Sequence, residues 1–121
     1  MIGMNKFIVI STSTELVRVS SDKIVCISAD GNYCTLILAD NTTRTLTFQL
    51  GQIERIIESQ LGREGNNFIR IGRSLIINSS YIYYVNVGRQ QLVLSDVDRF
   101  SHTVTASRES LAQLKELLER E

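Results

Sequence analysis

The sequence predicts a mostly β fold: short strands in several small sheets, with one central and one C-terminal helix. Short apolar and β-branched runs recur along the chain, separated by clusters of Ser, Thr, Asn, Asp and Gly. Only two stretches, around Leu50–Leu61 and Leu111–Leu118, space their apolar residues three and four apart as an amphipathic helix does. The 121 residues have the size of one domain, residues 1–121, and 43% hydrophobic content suffices for one core.

Phe7–Ser11 and Glu15–Val19 read as an opening hairpin around Thr12-Ser13-Thr14. Ser20–Lys23 is a turn. Ile24–Ala29 and Tyr33–Ala39 flank Asp30-Gly31-Asn32, and Asp-Gly between apolar runs is a strong hairpin signal. Asp40-Asn41 turns the chain into Thr42–Leu46. The helix follows, with Leu50, Ile53, Ile56, Ile57 and Leu61 as its core-facing stripe and Gly62 as its C-cap. Gly65-Asn66-Asn67 is a loop. Beyond the central stretch, Tyr81–Val87, Gln90–Ser95 and Ser101–Ala106 are strands separated by turns at Gly88-Arg89 and Asp96–Phe100. Tyr81, Tyr83 and Tyr84 read as core; partly exposed, they would serve a protein interface. Ser107 is the expected N-cap of the last helix, Glu109 favours its positive end, and Leu111, Leu114, Leu117 and Leu118 form its apolar stripe.

Phe68-Ile-Arg-Ile-Gly-Arg-Ser-Leu-Ile-Ile-Asn78 organises the rest. Ile69 and Ile71 alternate with Arg70, the period of a half-buried strand. Leu75-Ile76-Ile77 is a second strand, ended by an Asn78-Ser79-Ser80 turn. Between them lies an exposed corner, Gly72-Arg73-Ser74. Gly72 can take a positive φ at no steric cost, so Arg73 is thrown outward on a stiff support.

This stretch resembles the signature of the LytTR family of bacterial DNA-binding domains. Phe68, Arg70, Ile71, Arg73, Ser74, Leu75, Ile77, Asn78 and Ile82 fill the signature positions, while Gly72 stands where the family often has His. The order of elements agrees as well, including a Ser-Arg pair, Ser107-Arg108, at the end of the last strand. The resemblance spans about residues 20–110. A receiver domain precedes this one in many relatives; only about twenty residues precede the matched region here, so a free-standing domain is expected.

Charge and reactive groups narrow the function. Net charge is zero, but between Arg44 and Arg108 eight Arg and no Lys face five acids, and from Glu109 onward four acids face two bases. Arg without Lys suits planar, bidentate partners, and a solvated surface is the alternative. Cys26 and Cys34 lack ligand spacing and read as reduced, buried thiols of a cytoplasmic protein. His102 is the sole histidine, so a metal site is not expected. No nucleophile elbow or phosphate loop is present, and Asp96 and Asp98 read as a solvated turn. No catalytic residue, cofactor or metal is assigned. Met1–Lys6 contains no apolar run long enough for a signal peptide or a membrane span.

The resemblance implies sequence-specific binding of double-stranded DNA and transcription regulation, with loops contacting successive major grooves. Base contacts fall on Arg73, Arg108 and Tyr33. An Arg on a rigid element can donate two hydrogen bonds to guanine, worth roughly 1–3 kcal/mol of discrimination. Ser74, Asn78 and Ser107 suit phosphates, with Asn78 capping its own turn as the alternative. Arg70 and Arg89 are candidate backbone neutralisers, Arg70 equally an exposed solubilising residue. Family sites are imperfect direct repeats, which implies two copies head to tail; with no receiver domain expected, control is expected from expression level, a small partner or a separate regulatory protein. The second reading is a protein–protein interaction module on the same fold.

Overall fold

A computed structural model describes residues 7–121, so the reading of Met1–Lys6 lies outside the described residues. Ten strands and two helices follow in the order expected. They are β1 (Phe7–Ser11), β2 (Leu16–Ser20), β3 (Ile24–Asp30), β4 (Tyr33–Leu38), β5 (Thr43–Leu46), α1 (Leu50–Leu61), β6 (Phe68–Ile71), β7 (Leu75–Asn78), β8 (Ile82–Asn86), β9 (Gln91–Ser95), β10 (Ser101–Thr105) and α2 (Arg108–Glu119). The strands form three antiparallel sheets: β1-β2, β10-β9-β8, and a central sheet ordered β5-β4-β3-β7-β6. The fold is mostly β, with a central and a C-terminal helix.

The central sheet is covered on both faces. Ile27, Leu36, Leu46 and Ile76 pack on one side against Ile8, Ile10, Ile53 and Ile57, which come from the β1-β2 hairpin and α1. Val25, Cys26, Leu75 and Ile77 pack on the other against Leu92, Leu94, Leu111 and Leu114, from β9 and α2. Alternation lets β3 supply both cores, and a bulge between Ile24 and Cys26 puts the consecutive Val25 and Cys26 on the same side. β6, at the edge of this sheet, is half-buried as its alternation predicts. Ile69 and Ile71 face the α2 side, Phe68 packs on the α1 side, and Arg70 emerges beside α1.

Local chemistry sets the helix ends. The Gln52 side chain accepts from the Gln49 amide at 2.8 Å, and Gly62 ends α1 at φ +57° with its amide on the Glu58 carbonyl. Ser107 caps α2, its Oγ accepting from the Ser110 amide at 3.1 Å. Gln60 bonds both the amide and the carbonyl of Val9, at 2.8 and 2.7 Å, and so holds the outer hairpin against α1.

Two expectations about packing change. Leu117 is exposed, because α2 presents only Leu111, Leu114 and Leu118 to the core. Tyr83 and Tyr84 are exposed rather than core, Tyr83 by 63%. They lie on the edge strand β8, where a bulge between Ile82 and Tyr84 breaks the alternation that would have buried one of them. Tyr81 is half-buried, and its hydroxyl donates to the Asp22 carbonyl at 2.7 Å.

Candidate nucleic-acid interface

The Gly72-Arg73-Ser74 corner closes the β6-β7 hairpin just beyond the Ile71–Leu75 pair. Gly72 sits at φ +62°, with open space where a Cβ would stand. The corner is anchored by the Ala29 amide, which donates to the Ser74 carbonyl at 2.8 Å. Among the described residues, no hydrogen bond or ion pair engages the exposed Arg73 guanidinium. A planar cation held on two paired strands, and otherwise unoccupied, is ready to meet an external acceptor pair.

The β3-β4 turn belongs to the same end of the central sheet. Ser28 pairs with Leu75, and three residues on the chain turns through Gly31 at φ +63°. Tyr33, paired with Asp30 across that turn, is 54% exposed.

The third element arrives from the other side. Gln90 bonds Ala106 through its backbone carbonyl at 3.3 Å and its side-chain amide at 3.2 Å, which fixes the end of β10. The chain then enters α2 at Ser107-Arg108. An open groove of about 380 Å³ runs between this junction and the corner, lined by Gly72, Arg73, Ser74, Gln90, Ser107 and Ser110. Arg108 Nη2 lies 3.4 Å from the Gly88 carbonyl, beside the exposed Arg89. Sequence segments far apart thus bring Arg73, Ser74 and Ser107 to one groove, while the Arg108 guanidinium lies at the Gly88 carbonyl.

Other candidates are placed differently. Asn78 is 3% exposed. Its Nδ2 donates to the Ile24 carbonyl at 3.0 Å, and its Oδ1 accepts from the Ser80 amide at 3.0 Å. It stands at the end of β7 away from the corner. The side chain offered to a phosphate is used by the fold, because a buried amide must satisfy its polar atoms internally. Ser107 is exposed, but its hydroxyl serves as the helix cap and also donates to Ser110 Oγ at 2.9 Å. Arg70 is exposed, as an outward strand position implies, but its guanidinium is engaged. Its Nε donates to the Gly72 carbonyl at 3.0 Å, its Nη2 to the Arg73 carbonyl at 3.3 Å, and its Nη1 to Glu54 at 2.8 Å. Sequence reasoning missed Glu54 and Ala29, whose partners are fixed by the fold and not by a local motif.

The described residues contain no group of three His, Cys, Asp or Glu placed to hold a metal ion, and no helix long and apolar enough to cross a membrane. Burial pushes the Cys26 thiol up to about 12 and raises that of Cys34 as well, so neither is poised as a nucleophile.

The model of the LytTr DNA-binding domain family matches residues 14–119. The chain belongs to the LytTR family. Its fold is similar to a solved structure described as the LytTr DNA-binding domain of a methyl-accepting/DNA response regulator from Bacillus cereus. That likeness has a TM-score of 0.64 at 20% identity and covers 95% of this chain and 98% of the other. No curated protein matches. As a LytTR domain the chain is a DNA-binding unit of transcription regulation, a family of regulators and not of enzymes. The family match extends beyond the 20–110 span of the motif resemblance, taking in β2 and all of α2.

Proposed function

We propose that residues 1–121 act as one cytoplasmic DNA-binding domain that recognises specific double-stranded sequences through the major groove. Arg73 and Arg108 contact base edges, with Tyr33 as a third contact. Ser74, Arg89 and the Ser107 end of α2 meet the backbone. The observation that carries this reading is the unoccupied Arg73 guanidinium on its paired-strand corner, across one groove from Ser107. An Arg so placed reaches guanine O6 and N7 without ordering a loop first. Two copies bind imperfect direct repeats head to tail, under the control of a separate regulatory protein.

Selection from a randomised duplex pool tests this, run with the wild type and the Arg73→Ala/Arg108→Ala variant. The wild type enriches a repeated motif and the variant does not. If neither enriches anything over a range of salt, the sequence-specific reading fails.

A second reading, a protein-interaction surface, draws on exposed Tyr83 and Tyr84 along the β8 edge. Aromatic residues are enriched at such interfaces. DNA binding that falls steeply with salt supports the first reading; binding with no salt dependence supports the second.

A further inference from the structure

Arg70 is the arginine that sequence pattern would give to a phosphate, yet its guanidinium, on an exposed residue, is engaged by the fold. Three of its nitrogens are engaged. Nε and Nη2 hold the carbonyls of Gly72 and Arg73, the two residues that form the corner, and Nη1 pairs with Glu54 on α1. About a third of the side chain remains accessible, 32%. A planar fork of N–H donors can serve three acceptors in fixed directions. The acceptors here are two successive backbone carbonyls and a carboxylate, so the bonds tie the corner to the helix beneath it. The Glu54 carboxylate also offsets the charge that Arg70 would otherwise offer a phosphate. Every other anchor of the corner comes from the β side: the Ile71–Leu75 pair and the Ala29 amide.

We propose that Arg70 and Glu54 are positioning residues: they aim Arg73 by clamping the Gly72 and Arg73 carbonyls to α1, and they set sequence preference without touching DNA. The proposal rests on the base-reading role given to Arg73 above. It makes a different demand from a backbone contact. A phosphate contact depends first on charge, and Lys also binds phosphate as a point charge. A brace of two carbonyls and a carboxylate is a matter of shape, and a single ammonium on a flexible stem does not reproduce it.

The test uses the whole chain with Arg70→Lys, Arg70→Gln and Glu54→Gln. Each variant enters the same randomised-duplex selection as the wild type. Affinity for one arbitrary-sequence duplex is measured across a salt series, and amide exchange is followed without DNA. For Arg70→Lys the expected result is about a tenfold or greater loss of preference for the selected motif. The salt slope for the arbitrary duplex stays that of the wild type, because no phosphate contact has been removed. The Ala29 amide, bonded to Ser74, exchanges faster, while amides in β9 are unchanged and report an intact fold. Glu54→Gln shifts the same readouts in the same direction by less. Full rescue by Lys, a slope lower by about one in Arg70→Gln, or unchanged exchange at Ala29 would each overturn the positioning role and leave Arg73 as reader. If the wild type itself selects no motif, the base-reading role falls and takes this proposal with it.

Discussion

The Ala29 amide donates to the Ser74 carbonyl at 2.8 Å, joining the hairpin that carries Tyr33 to the corner that carries Arg73. The two elements proposed to read bases therefore belong to one sheet end, and their separation is set before any ligand arrives. Recognition from such a support loses little ordering entropy on binding. It also separates stability from readout. Arg73 is exposed and without a partner among the described residues, so Arg73→Ala should leave stability within about 0.5 kcal/mol of wild type. The same change should cost roughly 1–3 kcal/mol of discrimination between the selected sequence and its mismatches. Competition titrations beside thermal melts check both halves. A preserved preference would remove Arg73 from the reading set.

Asn78 should behave in the opposite way. Its amide holds the Ile24 carbonyl inside the fold, between β3 and the end of β7, and accepts from the amide of the exposed Ser80 in the turn that follows. Truncation leaves two backbone groups without partners, one of them on the fully buried Ile24. Asn78→Ala should cost about 1–3 kcal/mol of folding stability. Binding per folded molecule should stay close to wild type. Urea unfolding gives the first quantity and active-fraction-corrected titration the second. A fully stable variant with weakened DNA binding would restore Asn78 to the interface.

Much of this was legible because the chemistry is local. Asp30-Gly31, Gly62, Gly72 and Ser107 announce turns and caps through their own backbone preferences, and each sits where expected. The α1 stripe of Leu50, Ile53, Ile57 and Leu61 is likewise a periodicity. What escaped depends on partners far along the chain. The order β5-β4-β3-β7-β6 puts Ala29 beside Ser74, and α1 puts Glu54 beside Arg70. An outward strand position says that Arg70 leaves the strand; it does not say that two carbonyls of the next turn and a helix carboxylate await it. Tyr83 and Tyr84 were misplaced by a bulge, which no alternation pattern reveals. Leu117 was misplaced because α2 rests on the sheet along a narrower stripe than its leucines suggest.

Acid should act on the β9-β10 turn. Asp96 Oδ1 accepts from the amides of Phe100 at 2.8 Å, Arg99 at 2.9 Å and Asp98 at 3.0 Å. These bonds, that from Phe100 foremost, hold its carboxyl below the usual carboxylate range. A depressed folded pKa means that the charged form stabilises the fold above the unfolded value of about 3.9, and that this is lost as pH falls through the folded pKa. Asp96→Asn keeps the accepting oxygen and removes the charge. Its stability deficit should be constant from neutral pH down to about 5, then shrink below about 3.9. Unfolding midpoints across that range check it, and a deficit that grows on acidification would contradict the assignment.

Gly72 decides how the corner is built. Its φ is +62°, and nothing lies within 4 Å of the point where a Cβ would stand, so a side chain there meets backbone strain and no steric wall. Gly72→Ala should therefore cost about 1–2 kcal/mol from conformation alone. Gly72→Asn should cost less, since Asn enters this region several-fold more readily than most residues. The ranking separates strain from crowding: a clash would penalise the larger Asn more than Ala. Denaturant midpoints for the two variants give the order directly. With φ retained, Arg73 keeps its aim, so Gly72→Asn should bind the sequence selected by the wild type. If Asn is tolerated but the preferred sequence changes, position 72 itself contributes to the reading surface.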